Sequence, residues 1–256
     1  IWRTRPIVGK WSYLYVDGMV LSRRWDDEVH PVNVLVAVGV NEDGRREVLG
    51  VVEGCREDYE SWRDFLLSLK NRGLSGLELV VGDRAGGLVA SLKDVFPQAR
   101  YQRCIVHFYR NVLSKVPRKH MRDVAAAVKA IHAQENAAEA RAKAQRFKEK
   151  FETKFPEATK CVMDGLEETL TFYRFPSSHW RYLRTTNMVE RLIRESRRRT
   201  DVVGAFPDGK SALVLVCARL QWVTERSWTK KRYVLMEAFD PNKAICEAVL
   251  VDSVQS

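Results

Sequence analysis

Several features that would assign a chain to a specialised class of protein are missing from this sequence. No apolar run approaches the roughly 20 residues that a helix needs to cross a bilayer, and the first residues lack the apolar stretch of a secretory signal. The five cysteines are widely spread and form no Cys-x-x-Cys pair. Their odd number excludes a complete disulfide framework and indicates a reducing, cytoplasmic compartment. Because the chain begins with Ile rather than Met, we expect a fragment that lacks its N-terminal part.

The charge balance is strongly basic. Of 256 residues, 43 are Lys or Arg and 33 are Asp or Glu, which gives a formal net charge of +10 at pH 7. An excess of this size favours a polyanionic partner, most often nucleic acid. The 45% of hydrophobic and 10% of aromatic residues exclude intrinsic disorder as a description of the whole chain.

The first 105 residues have the pattern of an α/β fold. Apolar and β-branched runs predict five strands, at 11–16, 32–40, 47–52, 77–81 and 101–105. The first of these strands is predicted to end at Asp17-Gly18. Apolar residues at helical spacing predict two helices between the strands, at 58–71 and 85–96.

The composition changes after this α/β segment. From Phe108 to about Tyr173 strong helix formers dominate, and strand patterns disappear. Residues 108–180 contain 14 Lys or Arg and nine Asp or Glu, so we predict a basic subdomain of three or four helices. Three prolines are expected to interrupt it, namely Pro117, Pro156 and Pro176. Two more helices are predicted after it, at about 186–200 and 208–226.

Two aspartates follow apolar strands at positions where chemistry often takes place. Asp17 follows Tyr13 to Val16, and Asp83 follows Leu79 to Gly82. In an open sheet with helices on its faces, functional groups gather where strands end. Either residue alone is better explained as a turn or capping residue, but two of them, each beside a glycine, favour a functional site.

A third carboxylate, Glu190, begins an arginine-rich helix. It lies near the predicted N-terminus, where an acidic residue stabilises the helix dipole and an i,i+4 pair with Arg194 is ordinary surface design. Five arginines nevertheless follow within nine positions: Arg191, Arg194, Arg197, Arg198 and Arg199. Arginine forks match phosphate oxygens. Carboxylates beside such a helix suit phosphoryl transfer assisted by two Mg²⁺ ions about 3.5–4 Å apart.

Four blocks of the sequence resemble the DDE transposases of the Mutator type, which include many enzymes of bacterial insertion sequences. The blocks occur in the family's order over roughly residues 10–228: Asp17-Gly18 after a strand, Gly82-Asp83-Arg84-Ala85-Gly86-Gly87-Leu88, Arg103-Cys104-Ile105-Val106-His107, and Thr185 to Arg194 followed by Arg197-Arg198-Arg199-Thr200. The last block is the most specific.

This resemblance implies a fold, a reaction and a set of roles. It implies a ribonuclease H-like five-stranded mixed sheet built from residues 1–107 and 181–228, with a helical insertion at 108–180 and a tail at 229–256. Asp17, Asp83 and Glu190 would be the catalytic, metal-binding triad for two Mg²⁺ ions, for which Mn²⁺ substitutes. Independently of the resemblance, we expect the DNA-binding residues to be Arg84 and the five arginines after Glu190. The implied partners are double-stranded DNA and further copies of the chain, as a homodimer or larger complex on the nucleoid.

The sequence departs from the family in two respects. Gly82-Asp83-Arg84 stands where the family usually has Ser-Asp-Gly, so Arg84 either helps to hold DNA or weakens metal binding. Only about sixteen residues precede Asp17, so we expect that the family's N-terminal DNA-binding region, and with it most recognition of transposon ends, lies outside this chain.

Two further groups of possible metal ligands are weaker. Cys104 and His107 have zinc-like spacing, but a structural zinc needs four ligands and the sequence has no second close pair. The resemblance implies instead that this pair packs or hydrogen-bonds near the active site. The acidic run Asp26-Asp27-Glu28 is better explained as an exposed loop.

Two other functions remain as alternatives to a transposase. One is a catalytically silent DNA-binding derivative, which the presence of all three carboxylates disfavours. The other is a ribonuclease H-like nuclease acting on RNA–DNA hybrids or Holliday junctions, which the long helical insertion and the arginine block disfavour.

Overall fold

The computed structural model describes residues 2–25, 28–54, 58–84, 87–203 and 206–236. The chain folds as two units. The first, which we call the sheet unit, contains the described residues of 1–101 and 186–236. The second, which we call the helical unit, is residues 102–185. The sheet unit is therefore assembled from two separate segments of the chain.

The sheet unit is built on a mixed β-sheet with β1 at its centre. Its strands are β1 (Trp11–Trp25), β2 (Glu28–Asn41), β3 (Arg46–Gly54), β4 (Leu79–Gly82) and β5 (Arg100–Arg103). Within the described residues these five strands form one sheet in the order β3-β2-β1-β4-β5. β1 pairs antiparallel with β2 and parallel with β4, and β2 pairs antiparallel with β3.

β1 is much longer than the sequence predicts. It does not end at Asp17-Gly18 but stays paired with β2 as far as the Trp25–Glu28 pair, so this prediction was wrong. The reason is that β2 supplies apolar, β-branched partners well beyond Gly18, such as Val32 and Val34. The last pair between β2 and β3 joins Asn33 to Gly54. Beyond it, β1 and β2 continue as a hairpin.

Helices α1 (Tyr59–Asn71) and α2 (Leu88–Val95) cover one face of the sheet. Asp58 caps α1 by accepting a hydrogen bond from the backbone N–H of Ser61. The side chains of Trp62 and Phe65 are almost completely buried, and each such burial contributes about 1.5–3 kcal/mol. Gly50 makes this approach possible, because a Cβ there would lie 2.7 Å from the Phe65 ring.

Helices α8 (Asn187–Val203) and α9 (Gly209–Val223) complete the sheet unit. α8 packs on β1 and β2, and α9 packs on β3 and β1. Four apolar residues of α8 are buried at helical spacing: Met188, Val189, Leu192 and Ile193. A π-helical turn, Thr224–Trp228, follows α9.

The helical unit consists mainly of four helices, α3 (Ile105–Leu113), α4 (Met121–Ile131), α5 (Ala137–Phe151) and α6 (Pro156–Leu170). They share a buried cluster that includes Phe108, Val128, Phe147 and Val162. Each packs on its neighbours in the chain, and α3 also packs on α6, which is the arrangement of an antiparallel four-helix bundle. The short helix α7 (Trp180–Leu183) follows, after 3₁₀ turns at Thr171–Arg174 and Ser177–His179.

The α/β prediction is confirmed for the mixed five-stranded sheet and its flanking helices, whereas its ribonuclease H-like character stays a prediction. Among the described residues, no helix combines the length and the apolar character that crossing a membrane requires.

Candidate active site

Asp17 lies in β1, and Asp83 directly follows the neighbouring parallel strand β4. The register of β1 and β4 pairs Tyr13 with Leu79 and Tyr15 with Val81, and a continuation of this register by two residues would place Asp17 beside Asp83. Neighbouring strands are about 4.8 Å apart. The close fit at this point is visible at Gly82, where a Cβ would lie 3.0 Å from Val16 Cγ2.

Asp17 faces away from the core beneath α1 and α2. Leu14, Val16 and Val80 belong to that core, and side chains alternate along a strand, so Asp17 is directed to the opposite face. The same alternation, continued one residue beyond β4, would direct Asp83 to that face as well. Both are half-buried, so their carboxylates combine a rigid base with access to solvent.

The backbone next to each aspartate orients its carboxylate. Asp17 Oδ1 accepts a hydrogen bond of 2.9 Å from the N–H of Gly18, and Asp83 Oδ1 accepts one of 2.7 Å from the N–H of Arg84. Asp83 follows the end of β4, as the sequence predicts, whereas Asp17 lies within β1. The strand that ends near Asp17 is therefore β4, whereas β1 continues past it.

Glu190 is half-buried in the first turn of α8, where its N–H donates to the carbonyl of Thr186. A chain of side chains identifies the face on which this helix lies. The ring of Tyr233 contacts Tyr15 edge-on at 6.4 Å, and Tyr15 is on the Asp17 side of β1. Arg46 lies over Tyr233 and is close enough to Arg191 for the two charges to interact. α8 therefore packs on the face to which Asp17 is directed.

The arginines after Glu190 form an exposed basic surface. Arg191, Arg194, Arg197, Arg198 and Arg199 are all exposed, and the first four lie on the side of α8 away from its buried apolar residues. Glu195 pairs with Arg198 at 3.5 Å and with Arg219 of α9 at 3.2 Å. Arg84 is also exposed, directly after Asp83. These exposed cations are accessible to a polyanion that approaches from solvent.

The sequence analysis did not single out Arg46, which belongs to the surroundings of this site. Its guanidinium lies between the rings of Trp228 and Tyr233, 4.3 and 4.9 Å from their centroids. Its Nε donates to the carbonyl of Trp228. Burial lowers the pKa of Arg46, and the charge of Arg191 acts in the same direction. An isolated arginine in a strand carries no sequence signal for such a contact.

Tyr15 is the aromatic residue closest in sequence to Asp17. Burial raises the pKa of its phenol well above the ordinary value, with Tyr233 adding to the effect. The phenol is therefore neutral at physiological pH, and this leaves carboxylates and arginines as the charged groups of the site.

Cys104 and His107 belong to the helical unit. Cys104 is buried, forms no disulfide within the described residues and precedes the first residue of α3, and the half-buried His107 follows one turn later. Their expected role in supporting the active site stays a prediction. Asp26, Asp27, Cys55 and Cys246 lie outside the described residues, as does most of the predicted tail.

The family described as "Transposase, Mutator family" matches residues 1–230. The chain belongs to this family. The resemblance inferred from the four sequence blocks is thereby confirmed.

Curated relatives of this Mutator-family chain are transposases of bacterial insertion sequences. It is 40% identical over 242 residues to the transposase of insertion sequence element ISRM5 of Rhizobium meliloti. This match covers 94% of this chain and 61% of that protein. It is 36% identical over 253 residues to the transposase of IS1081 of Mycobacterium tuberculosis, with the same two coverages. The chain thus spans about three fifths of the length of these relatives.

One solved structure shows a weak likeness to this Mutator-family chain. The match to a chain of the "Drosophila P element transposase strand transfer complex" covers 94% of this chain and 70% of that chain, at 10% sequence identity and a TM-score of 0.31. A likeness this weak supports no conclusion about fold or function.

Proposed function

We propose that the chain is the catalytic part of a DNA transposase, with Asp17, Asp83 and Glu190 as its active-site carboxylates. The observation that carries this proposal is the parallel register of β1 with β4, since its continuation by two residues would make neighbours of two aspartates that are 66 positions apart. Membership of the Mutator family supports the same function.

The dimensions of α8 support the inclusion of Glu190. Just beyond the C-terminal end of α8, the N–H of Phe206 donates to the carbonyl of Ser22 in β1. The rise from Glu190 to Val203 along an α-helix is roughly 20 Å, and the rise from Asp17 to Ser22 along a strand is roughly 17 Å. A helix that runs along β1 from this anchor would bring Glu190 to about the level of Asp17.

The chemistry of the three carboxylates suits a divalent cation. They supply hard oxygen ligands, which Mg²⁺ prefers and which Mn²⁺ also accepts, and we propose two ions. When bound, such ions lower the pKa of a coordinated water and withdraw charge from the phosphate oxygens. Asp17, Asp83 and Glu190 would hold them on the α8 side of the sheet.

The proposed reaction has two steps, each of which forms one phosphorus–oxygen bond and breaks another: the first is a hydrolysis and the second a transesterification. In the first, water attacks the phosphorus at a transposon end, the bond from phosphorus to the 3′ oxygen breaks, and that oxygen leaves as a 3′-hydroxyl. In the second, this hydroxyl attacks a phosphorus in target DNA and displaces the target's 3′ oxygen. The arginines of α8 would hold the phosphate backbone in position for both steps.

The proposal is tested by removing each carboxylate charge at constant size. We expect Asp17→Asn, Asp83→Asn and Glu190→Gln each to reduce Mg²⁺-dependent cleavage of a duplex carrying the transposon end by roughly 10³-fold or more. Binding of the same duplex should persist, because the exposed arginines are unchanged. Strand transfer with ends that already carry a free 3′-hydroxyl should fall in parallel.

Glu195→Gln is the matched control for this experiment, because Glu195 is half-buried on the same helix. It should retain cleavage. Full cleavage by any of the three variants, or an equal loss in the control, would reject the assignment. Cleavage of an RNA–DNA hybrid in preference to duplex DNA would support the nuclease alternative, and binding without cleavage by the unmodified chain would support the silent derivative.

A further inference from the structure

The helical unit has two loops at one end of its bundle. Residues 114–120 join α3 to α4, and residues 152–155 join α5 to α6. The chain enters and leaves at the other end, where Gln102 Oε1 accepts a hydrogen bond from the N–H of Phe172. Residues 114–122 and 148–157 therefore form the end remote from the points of entry and exit, and we call this region the distal tip.

Aromatic contacts hold the two loops of the distal tip together. The ring of His120, from the first loop, lies 5.3 Å from that of Phe155, from the second. Phe155 in turn stacks on Phe151 at 6.1 Å. Val116 and Phe155 are both buried in the core of the bundle. The side chains that the tip presents to solvent therefore stand on a well-packed base.

Positive charge is concentrated on the distal tip. Its 19 residues contain seven Lys or Arg and three Glu, whereas the other 65 residues of the helical unit contain ten Lys or Arg and six Asp or Glu. Both parts have a net charge of +4, so the charge per residue is more than three times higher at the tip. The cations of the tip are Lys115, Arg118, Lys119, Arg122, Lys148, Lys150 and Lys154.

Most of these cations remain available to a partner. Two of them take part in long ion pairs, Lys115 with Glu157 at 3.9 Å and Lys148 with Glu152 at 3.7 Å. Arg118, Lys119 and Arg122 are exposed and form no ion pair within the part of the chain that the structure describes. Lys150 and Lys154 lie 5.2 and 5.6 Å from the rings of Phe151 and Phe155 and keep their ammonium groups exposed.

We propose that the distal tip binds the phosphate backbone of duplex DNA, as a second contact besides the carboxylate site. This inference rests on the proposed function, which makes duplex DNA the substrate. Lysine and arginine on short loops match the regular negative charge of a duplex. Contacts to phosphates position a protein without reading bases, so the tip contributes affinity that does not depend on sequence.

The test compares two double variants that remove the same charge from different ends of the bundle. Arg118→Gln/Lys119→Gln changes the distal tip. Lys129→Gln/Lys143→Gln changes α4 and α5 outside the tip. All proteins carry Asp17→Asn and are studied without divalent metal, so that binding of a labelled duplex is measured without cleavage. Circular dichroism confirms that both variants keep their helices.

We expect the tip variant to lower the slope of log affinity against log salt concentration by roughly 1.8, which is about 0.9 for each lost phosphate contact. Its affinity near 0.1 M salt should fall roughly tenfold or more, and the control should keep the unmodified slope. Equal slopes for both variants would overturn the inference, and so would a loss seen with single-stranded RNA but not with duplex DNA. If the protein with Asp17→Asn alone binds no duplex, the proposed function fails as well. If only this inference fails, the tip variant with Asp17 restored still cleaves duplex DNA.

Discussion

The sheet unit and the helical unit acquire their candidate functional groups in different ways. In the sheet unit, the pairing of two strands places Asp17 in β1 next to the strand that Asp83 follows, and Glu190 belongs to a segment that returns after the whole helical unit. In the helical unit, the cations of the distal tip lie in two short stretches around the loops. A sheet brings distant residues together, whereas a bundle with short loops presents groups that are already close in sequence.

The two units also differ in how they bury polar side chains. In the helical unit, His132 lies between the hydroxyls of Tyr109 and Thr169, at 3.0 and 2.8 Å. The hydroxyl of Thr169 donates its own proton to the carbonyl of Leu166, so the Thr169 oxygen accepts the proton of His132 Nε2. His132 Nδ1 then carries no proton and accepts from the hydroxyl of Tyr109. This network requires the neutral imidazole. In the sheet unit, by contrast, the buried Ser91 of α2 donates to the carbonyl of Leu88 in its own helix.

The largest expected effect comes from truncating one buried aromatic residue in each unit. Trp62→Ala in the sheet unit and Phe147→Ala in the helical unit should each lower the free energy of unfolding by about 3–5 kcal/mol, because each leaves a cavity in a packed core. Hydrogen exchange followed by mass spectrometry should show the greater loss of amide protection in the unit that carries the change. Equal losses in both units would show that the chain unfolds as one cooperative body.

A somewhat smaller effect is expected from acid, and it should be confined to the helical unit. Burial lowers the pKa of His132 to about 4, against about 6.5 in an unfolded chain. Above pH 6.5 the imidazole is neutral in both states and its contribution to stability is complete. Between pH 6.5 and 4 the unfolded state takes up a proton that the folded state does not, so roughly 3 kcal/mol is lost as the pH falls.

Urea unfolding at several pH values between 7 and 4 measures this loss. His132→Gln should be less stable than the unmodified chain at pH 7 and should show a flatter dependence on pH. An unchanged pH dependence in this variant would assign the acid sensitivity to other groups.

The smallest expected effect compares the helix caps of the two units. Asp58 caps α1 in the sheet unit, and Asn136 caps α5 in the helical unit, each by accepting from a backbone N–H three residues later. Replacing either by Ala should cost about 1 kcal/mol. The corresponding Gly variants should lose only a few tenths of that amount, and thermal unfolding can resolve the difference. A greater loss with Gly than with Ala would contradict the capping explanation.

The sequence predicted the kinds of element well but not all of their lengths. The helix predicted at 58–71 and the breaks predicted at three prolines depend on interactions within a few residues, and these are present. The end of β1 was wrong, because the continuation of a strand depends on the partner that the fold provides. Arg46, with its contacts to Trp228 and Tyr233, was missed for the same reason.

By itself, the sequence determined the family, the α/β character of the first segment, the basic charge and the identity of three candidate carboxylates. These properties are recorded in residue types and in spacings of a few positions. Only the tertiary structure decided that β1 pairs in parallel with β4, that Asp17 shares a face with α8, and that two loops combine into one basic tip. Such neighbours arise from strand register and helix packing, which act between residues that have no fixed spacing along the chain.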